Sequence, residues 1–496
     1  MKSLPRHAAI YLLVIGLLSL FQIVIGANIL LLIAIDLVCL TALVPMTRKS
    51  FDPNDLLFLS LSFYYGTFAL VLKSLVLQPV QENLEVPLLT SLYLVSGFGL
   101  IFLAYLWVMR GMTSYYPGTR LRTWGIFERY FADPRFLARF TLPLSLMANL
   151  FAIVLSTLSH SAQEVANGLA TASSLTTLGS LLPIVQLALA MQLSLQARRG
   201  SQIDRVLIII TIGTGVALSI LNNQKLLGFM LAVTYGVHMI AYRVRVRPRV
   251  IALGTAAVMV LFLYVTPLIH IIRAMDLVKS ERIAQTFHIL QEAHFSPIEL
   301  SEIEAKLPGA DDPSSLATRL NYLAPNDFNT DRFTMLIPID LTARASLTEP
   351  LGLGAYFKEI VLEVLPKFIT GEHSLDVLVD QIAWRYGIRE NNVVARPALG
   401  MLGTGYGVAG AWGVLVIAPL IMLAFFALVK RVCNGSIWEN PWAVYIASSI
   451  FFFGEQDITL PVLIVRSFLP IILIAAILIV YDQLFSRVQS STDRRS

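Results

Sequence analysis

The sequence predicts an all-α polytopic membrane protein of about 12 transmembrane helices, with a large, mostly helical extracytoplasmic loop between helices 9 and 10. Three observations lead there. Of 496 residues, 56% are hydrophobic and only 14% charged, where a soluble domain carries about a quarter charged. The mean hydropathy is +0.71, and the apolar residues gather into runs of about 20, the length a bilayer requires.

These runs lie near 8–25, 28–46, 56–77, 88–109, 140–158, 175–196, 206–221, 226–241, 250–270, 406–428, 442–453 and 459–481. The first follows Lys2 and Arg6, exceeds a signal-peptide core in length and lacks a clear small-x-small cleavage site, so it reads as an uncleaved span. Lys and Arg collect on one side of the membrane, which fixes orientation. That side receives Arg48, Lys49, Arg110, Arg120, Arg122, Arg198, Arg199, the ladder Arg243, Arg245, Arg247 and Arg249, then Lys430, Arg431, Arg487, Arg494 and Arg495. The short loops opposite hold only Lys225. Both termini are therefore expected in the cytoplasm.

Three parts follow: 1–270 with helices 1–9, 271–405 as a folded loop, and 406–496 with helices 10–12 and a cytoplasmic tail. The loop holds 12 Lys and Arg against 18 Asp and Glu, while the whole chain is +5. The sequence pI of about 9.1 thus reflects topology, and nucleic acid is not an expected partner. Within the loop, Ser296-Pro297-Ile298-Glu299 is a capping box and Asp312-Pro313 starts a second helix. Gly354 to Leu365 forms a third, stopped by Pro366, and Ser374 to Tyr386 a fourth, closed by Gly387. Residues 271–294 keep helical spacing and either continue the ninth span outward or lie on the interface. The two cysteines, Cys39 and Cys433, lie in or beside apolar runs and offer neither a disulfide framework nor a metal site.

Gly405, Gly407 and Gly410 spell G-x-G-x-x-G, but no strand precedes them and a transmembrane run follows, which argues against a dinucleotide. Gly403, Gly407 and Ala411 recur every four residues as a small stripe for close helix approach. The glycines also allow a helix N-terminus beside Arg396 to face a phosphate.

Ionisable residues inside spans mark functional sites by default. Asp36 lies mid-span, where one buried hydrogen bond is the plain alternative. Lys73 lies near an outer end, where snorkelling is the alternative. Arg466 lies below the outer end of span 12, with Glu455 and Asp457 as structural ion-pair partners or as carboxylates below the membrane surface. Cations at that level, with Arg319, Arg344, Lys367 and Arg396 in the loop, suit a lipid-linked diphosphate bound by Arg forks.

The stretches 344–374 and 396–415 resemble the bacterial oligosaccharide repeat-unit polymerases, the O-antigen or exopolysaccharide (Wzy) type. Arg344 matches an Arg early in the second half of the periplasmic loop, Pro366-Lys367 a Pro-basic pair, and Tyr406, Gly407 and Gly410 an aromatic followed by glycines. In the family the basic residue is more often Arg and the aromatic more often Phe. The resemblance implies a GT-C-like membrane glycosyltransferase of the bacterial inner membrane. Its substrate would be undecaprenyl-diphosphate-linked oligosaccharide, and a chain-length regulator and a flippase would be candidate partners. It needs no cofactor or metal, and no D-x-D or Walker A motif is present. His373, Glu455 and Asp457 are candidate general bases; Arg344, Lys367, Arg396, Tyr406, Arg466, Lys73 and Arg319 are candidate substrate contacts. Tyr406 and Trp412 suit sugar stacking or interface anchoring. An O-antigen ligase using the same donor, a lipid-linked oligosaccharide flippase and a structural export partner are the competing readings.

Overall fold

A computed structural model describes residues 5–48, 52–111, 134–158, 183–199, 202–221, 226–241, 263–264, 266–275, 279–306, 322–323, 334–345, 348–364, 378–388, 398–433, 444–449, 476 and 480. Among the described residues the secondary structure is helical throughout, with no strand. The protein is a helical membrane protein, and five stretches are long and apolar enough to cross a bilayer: Arg6–Val24, Ile29–Met46, Pro53–Leu75, Pro87–Arg110 and Gly413–Lys430. Thr141–Val154, Ile184–Ala197, Arg205–Leu218 and Met230–Met239 are shorter apolar helices.

The chain divides into two compact units. Unit one takes Met1–Tyr116, Pro308–Glu439 and Ala447–Leu463; unit two takes Pro117–Leu307, Asn440–Ile446 and Ile464–Ser496.

Unit one begins with α1 (Arg6–Val24), α2 (Ile29–Thr41), capped by the Asn28 side chain, and the short α3 (Leu43–Met46). In α4 (Pro53–Ser62), Asp52 and Asp55 form a reciprocal capping box behind Pro53, so the free N–H groups of the first turn are satisfied. A π turn, Phe63–Thr67, joins α4 to α5 (Phe68–Leu75). A second, Leu94–Phe98, joins α6 (Pro87–Tyr93) to α7 (Gly99–Gly111).

Unit two contains α8 (Pro134–Leu158), α9 (Pro183–Arg199), α10 (Gln202–Leu221), α11 (Leu226–Ala241), α12 (Thr266–Ala274), α13 (Lys279–Glu292) and α14 (Pro297–Ala305). Helix α9 is central: Val185, Leu189 and Leu193 form a core with Ala152, Ile208, Leu218 and Leu231. Its buried Gln192 donates to Thr211 Oγ1 at 3.0 Å, which also accepts from Asn149, and Gln186 donates to Thr234 Oγ1 at 3.0 Å. Interhelical amide bonds of this kind satisfy polar groups that lipid cannot. Helix α13 does not prolong α12; Ile289 packs back onto Ile271 and Ile272 in a small core with Leu300. Ser296 caps α14 as its sequence indicates, accepting from Glu299 N.

The loop sequence returns to unit one. Helix α15 (Leu336–Arg344), unforeseen in the sequence, is buried from Leu336 to Ala343. Helices α16 (Leu353–Val364) and α17 (Leu378–Arg385) occupy the expected third and fourth helical stretches of the loop.

The glycine-rich stretch departs from expectation. It forms a separate helix, α18 (Gly400–Ala409), instead of leading directly into a span from residue 406. Gly410, at φ 59° and ψ −141°, adopts a backbone region that L side chains avoid and ends the helix. The chain then turns into a third π turn, Gly413–Ile417, and α19 (Ala418–Cys433). The i+8 member of the small stripe, Ala411, therefore lies past a break. Gly403 packs on Pro338 of α15 and Gly407 on Ile382 of α17, so the two glycines admit different partners. The closest approach is elsewhere. A methyl group on Gly413 would stand 1.6 Å from Gly405 O, and one on Gly405 would stand 2.7 Å from Gly413 O.

Each π turn places a glycine against a neighbour. A methyl on Gly66 would meet Cys39 Sγ at 3.0 Å, and one on Gly97 would meet Val414 Cγ1 at 2.6 Å. Because the opposing atoms at Gly413 are backbone, Gly413→Ala is expected to destabilise unit one by about 3 kcal/mol. Gly213→Ala, which meets nothing within 4 Å, is expected to be neutral or better. Thermal unfolding of the two detergent-purified variants checks the contrast.

Candidate functional site

The loop from Val76 to Val86 covers the end of unit one that the distribution of basic residues predicts to be extracytoplasmic. Its path is fixed by a side chain of the first span and by one of its own. Gln22 Nε2 donates to Ser74 Oγ at 3.0 Å and to Gln78 O at 3.2 Å, while Gln22 Oε1 accepts from Val80 N at 3.0 Å. Gln81 does the same for the first hairpin, accepting from Asn28 N and donating to Gly26 O.

Lys73 is part of this layer. The sequence allowed it to snorkel, but the structure turns it inward with no exposed surface. Its Nζ donates to Gln78 Oε1 at 2.8 Å and stands 4.4 Å from the centroid of the Tyr322 ring. A carbonyl oxygen and a π face are thus its recorded contacts. Tyr322 OH donates to Val80 O at 2.5 Å, and Asn83 Nδ2 donates to Tyr322 O at 3.0 Å. Burial, with Asp340 nearby, holds the Tyr322 phenol well above its ordinary value.

The carboxylate of Asp340 caps α6. Pro87 begins that helix, and the preceding amides of Glu85 and Val86 donate to Asp340 Oδ2 and Oδ1 at 2.7 and 2.9 Å. Thr90 Oγ1 donates to Oδ1 at 2.9 Å. Burial raises the Asp340 carboxyl above its ordinary value, and these three donors act against that shift. One turn further along α15, Arg344 Nη1 pairs with Glu85 Oε1. That bond, more than proximity to Asp340, holds the guanidinium charged.

Helix α15 is docked on its other side as well. Tyr64, inside the first π turn, offers its carbonyl to Met335 N at 3.0 Å, and wide turns of this kind release groups from the regular ladder. Tyr65 OH accepts from Leu402 N at 3.2 Å. Tyr406, buried on α18, meets Tyr93 and Tyr386 edge to face at 5.2 and 6.3 Å between centroids. The hydroxyls of Tyr386, Thr404 and Thr334 are buried and find no hydrogen-bond partner among the described residues. Burial raises the Tyr386 phenol.

Of the candidates read from sequence, the structure brings Lys73, Arg344 and Tyr406 into unit one. Asp36 accepts from Ser19 Oγ at 2.7 Å, the plainer of the two readings its sequence position allowed. Tyr406 is buried and is not an interface anchor, whereas Trp412 is 73% exposed. Arg319, Lys367, His373, Arg396, Glu455, Asp457 and Arg466 lie outside the described residues. Among the described residues no group of three His, Cys, Asp or Glu could hold a metal ion. Sequence reasoning overlooked Asp340, Glu85, Tyr93, Tyr322 and Tyr386. A signal existed for Asp340, a lone carboxylate within the apolar run from Met335 to Ala343. No comparable signal marked Glu85.

No family model matches the chain, and no curated protein or solved structure matches it significantly.

Removing Asp340 takes the acceptor from two part-buried amides and from the buried Thr90 hydroxyl, and an orphaned buried donor costs about 1–3 kcal/mol. Asp340→Ala is therefore expected to lower stability by about 3 kcal/mol or more, and Thr90→Val, which removes one donor with little change of shape, by about 1 kcal/mol. Protease susceptibility of the 76–86 loop in purified protein should rise in the same order.

Proposed function

We propose that the protein is a GT-C-like membrane glycosyltransferase that polymerises undecaprenyl-diphosphate-linked oligosaccharide units on the periplasmic face of the bacterial inner membrane. Its twelve spans would have both termini in the cytoplasm. One observation carries the reading. The two stretches that resemble repeat-unit polymerases meet within unit one. Leu351 N and Gly352 N, in the first, donate to Gly407 O and Val408 O, in the second, each at 2.9 Å.

In this reading the donor's polyprenyl tail lies between spans and its diphosphate meets Arg344, assisted by Arg319, Lys367 and Arg396. An acceptor hydroxyl attacks the anomeric carbon as the bond from that carbon to the diphosphate oxygen breaks, and the electron pair leaves with the diphosphate. The hydroxyl proton passes to a general base, with His373, Glu455 and Asp457 the candidates. Guanidinium groups offset the negative charge that develops on the leaving group, so the chemistry requires no metal. Aromatic rings such as Tyr406 and the hydroxyls of Tyr386 and Thr404 are of the type that bind sugars. Lys73 is too enclosed to touch a diphosphate in this conformation; its role in the reading is to hold the 76–86 loop.

Arg344 carries the sharpest requirement, since it must exchange Glu85 for phosphate oxygens. Arg344→Ala is expected to cut polymerisation about 100-fold, leaving single repeat units on the acceptor. Glu85→Gln, which frees the guanidinium, should keep polymer length. Gel analysis of surface polysaccharide from the native host reads both. Equal loss in the two variants would mean that Arg344 acts only through its ion pair. Long polymer retained on the carrier lipid after gene deletion would instead favour the ligase.

A further inference from the structure

Helix α16 lies in unit one with apolar side chains turned outward. Its start is anchored by the bonds from Leu351 and Gly352 to the carbonyls of Gly407 and Val408. A methyl on Gly410 would stand 3.6 Å from Pro350 Cγ, so the helix departs beside the turn from which the Gly413–Lys430 span also departs. Trp412, 73% exposed, sits at that turn, at the end of the span opposite Lys430. An exposed indole at the end of a span is typical of the headgroup level.

From this anchored start, Tyr356 is 3% exposed and fastens α16 to the protein. Leu353, Phe357 and Val361 are 46%, 58% and 49% exposed. Spaced by four, they fall on one face of a helix of 12 residues, which is about 18 Å long. Lys358, also exposed, stands on the adjoining face. Water is an unfavourable neighbour for such an apolar stripe. The span leaving the same turn shows apolar side chains of comparable exposure, such as Leu420 at 57%. The stripe and that span thus both turn apolar side chains outward.

We propose that α16 lies in the bilayer interface at the Trp412 end of the span. Leu353, Phe357 and Val361 sit at the acyl boundary and Lys358 reaches the headgroups. The proposal requires only that Gly413–Lys430 crosses a bilayer, and it stands or falls independently of the glycosyltransferase reading.

The test uses full-length protein carrying Cys433→Ser, reconstituted in phosphatidylethanolamine and phosphatidylglycerol liposomes. Nitroxide labels are attached singly through Leu353→Cys, Phe357→Cys, Val361→Cys and Lys358→Cys, with the unlabelled buried Cys39 as background. Collision with oxygen, which partitions into lipid, is compared with collision with a water-soluble nickel chelate. Oxygen is expected to exceed nickel several-fold at the three stripe positions, and the ratio should fall at residue 358. Nickel collisions exceeding oxygen along the stripe would show that it faces water and overturn the proposal. Protection from both reagents would show that a protein surface covers it, whether a second copy or another partner, and would overturn it equally. Each stripe position is read separately, so the failure of one variant to fold leaves two that decide.

Discussion

The Asp340 carboxylate holds unit one together at the end away from Arg48 and Lys430. It comes from a helix far along the chain and accepts the two amides and the hydroxyl that open α6. Pro87 stands at the start of α6, and the part-buried amides just before it find their acceptor in this carboxylate. A carboxylate at a helix N-terminus gains from both the donors and the macrodipole. The same contact seats α15, which then presents Pro338 to Gly403 and Arg344 to Glu85. Helices α15 and α18 and the spans of unit one thereby form one packed body.

The opposite end of unit one uses a second buried carboxylate. Asp55 accepts from Arg48 Nη1 at 2.9 Å and from the Tyr105 hydroxyl, and neighbouring Asn54 Nδ2 donates to Phe426 O at 2.9 Å. The Phe58 ring stacks on Tyr105 at 4.5 Å between centroids. Helices α4, α7 and α19 are thus joined by polar bonds that have no competitor in hydrocarbon. Between the two ends, packing depends on π turns and glycines. Each wide turn releases backbone groups and lets a neighbour approach to a distance that a methyl group would prevent. The Gly405 to Gly413 contact is the extreme case, with two backbones touching across the reversal at Gly410.

For the chemistry, the structure separates two cations that the sequence had treated alike. Lys73 is fully enclosed, with Gln78 and the Tyr322 ring as its recorded contacts. Arg344 is part-exposed and paired with the Glu85 carboxylate; in the proposed function, an incoming anion would displace that carboxylate. Exposed ion pairs contribute little to stability, so such an exchange is inexpensive. A buried ammonium withdrawn from water is the opposite case, because any movement toward a ligand breaks contacts that nothing nearby replaces.

The sequence by itself determined the membrane class, the first four spans and the α14, α16 and α17 helices, because run length, capping residues and prolines act over a few positions. At Asp36 the sequence left a functional charge and a single hydrogen bond as alternatives, and the structure supplies the bond from Ser19. Tertiary structure alone decided the burial of Lys73, the partner of Arg344 and the existence of α15 as an inserted helix. It also decided that α18 ends at Gly410 before the next span begins, since a glycine's letter does not reveal its φ. The physical reason is range: the bond from Thr90 to Asp340 joins residues 250 positions apart, and nothing local to either residue announces the other.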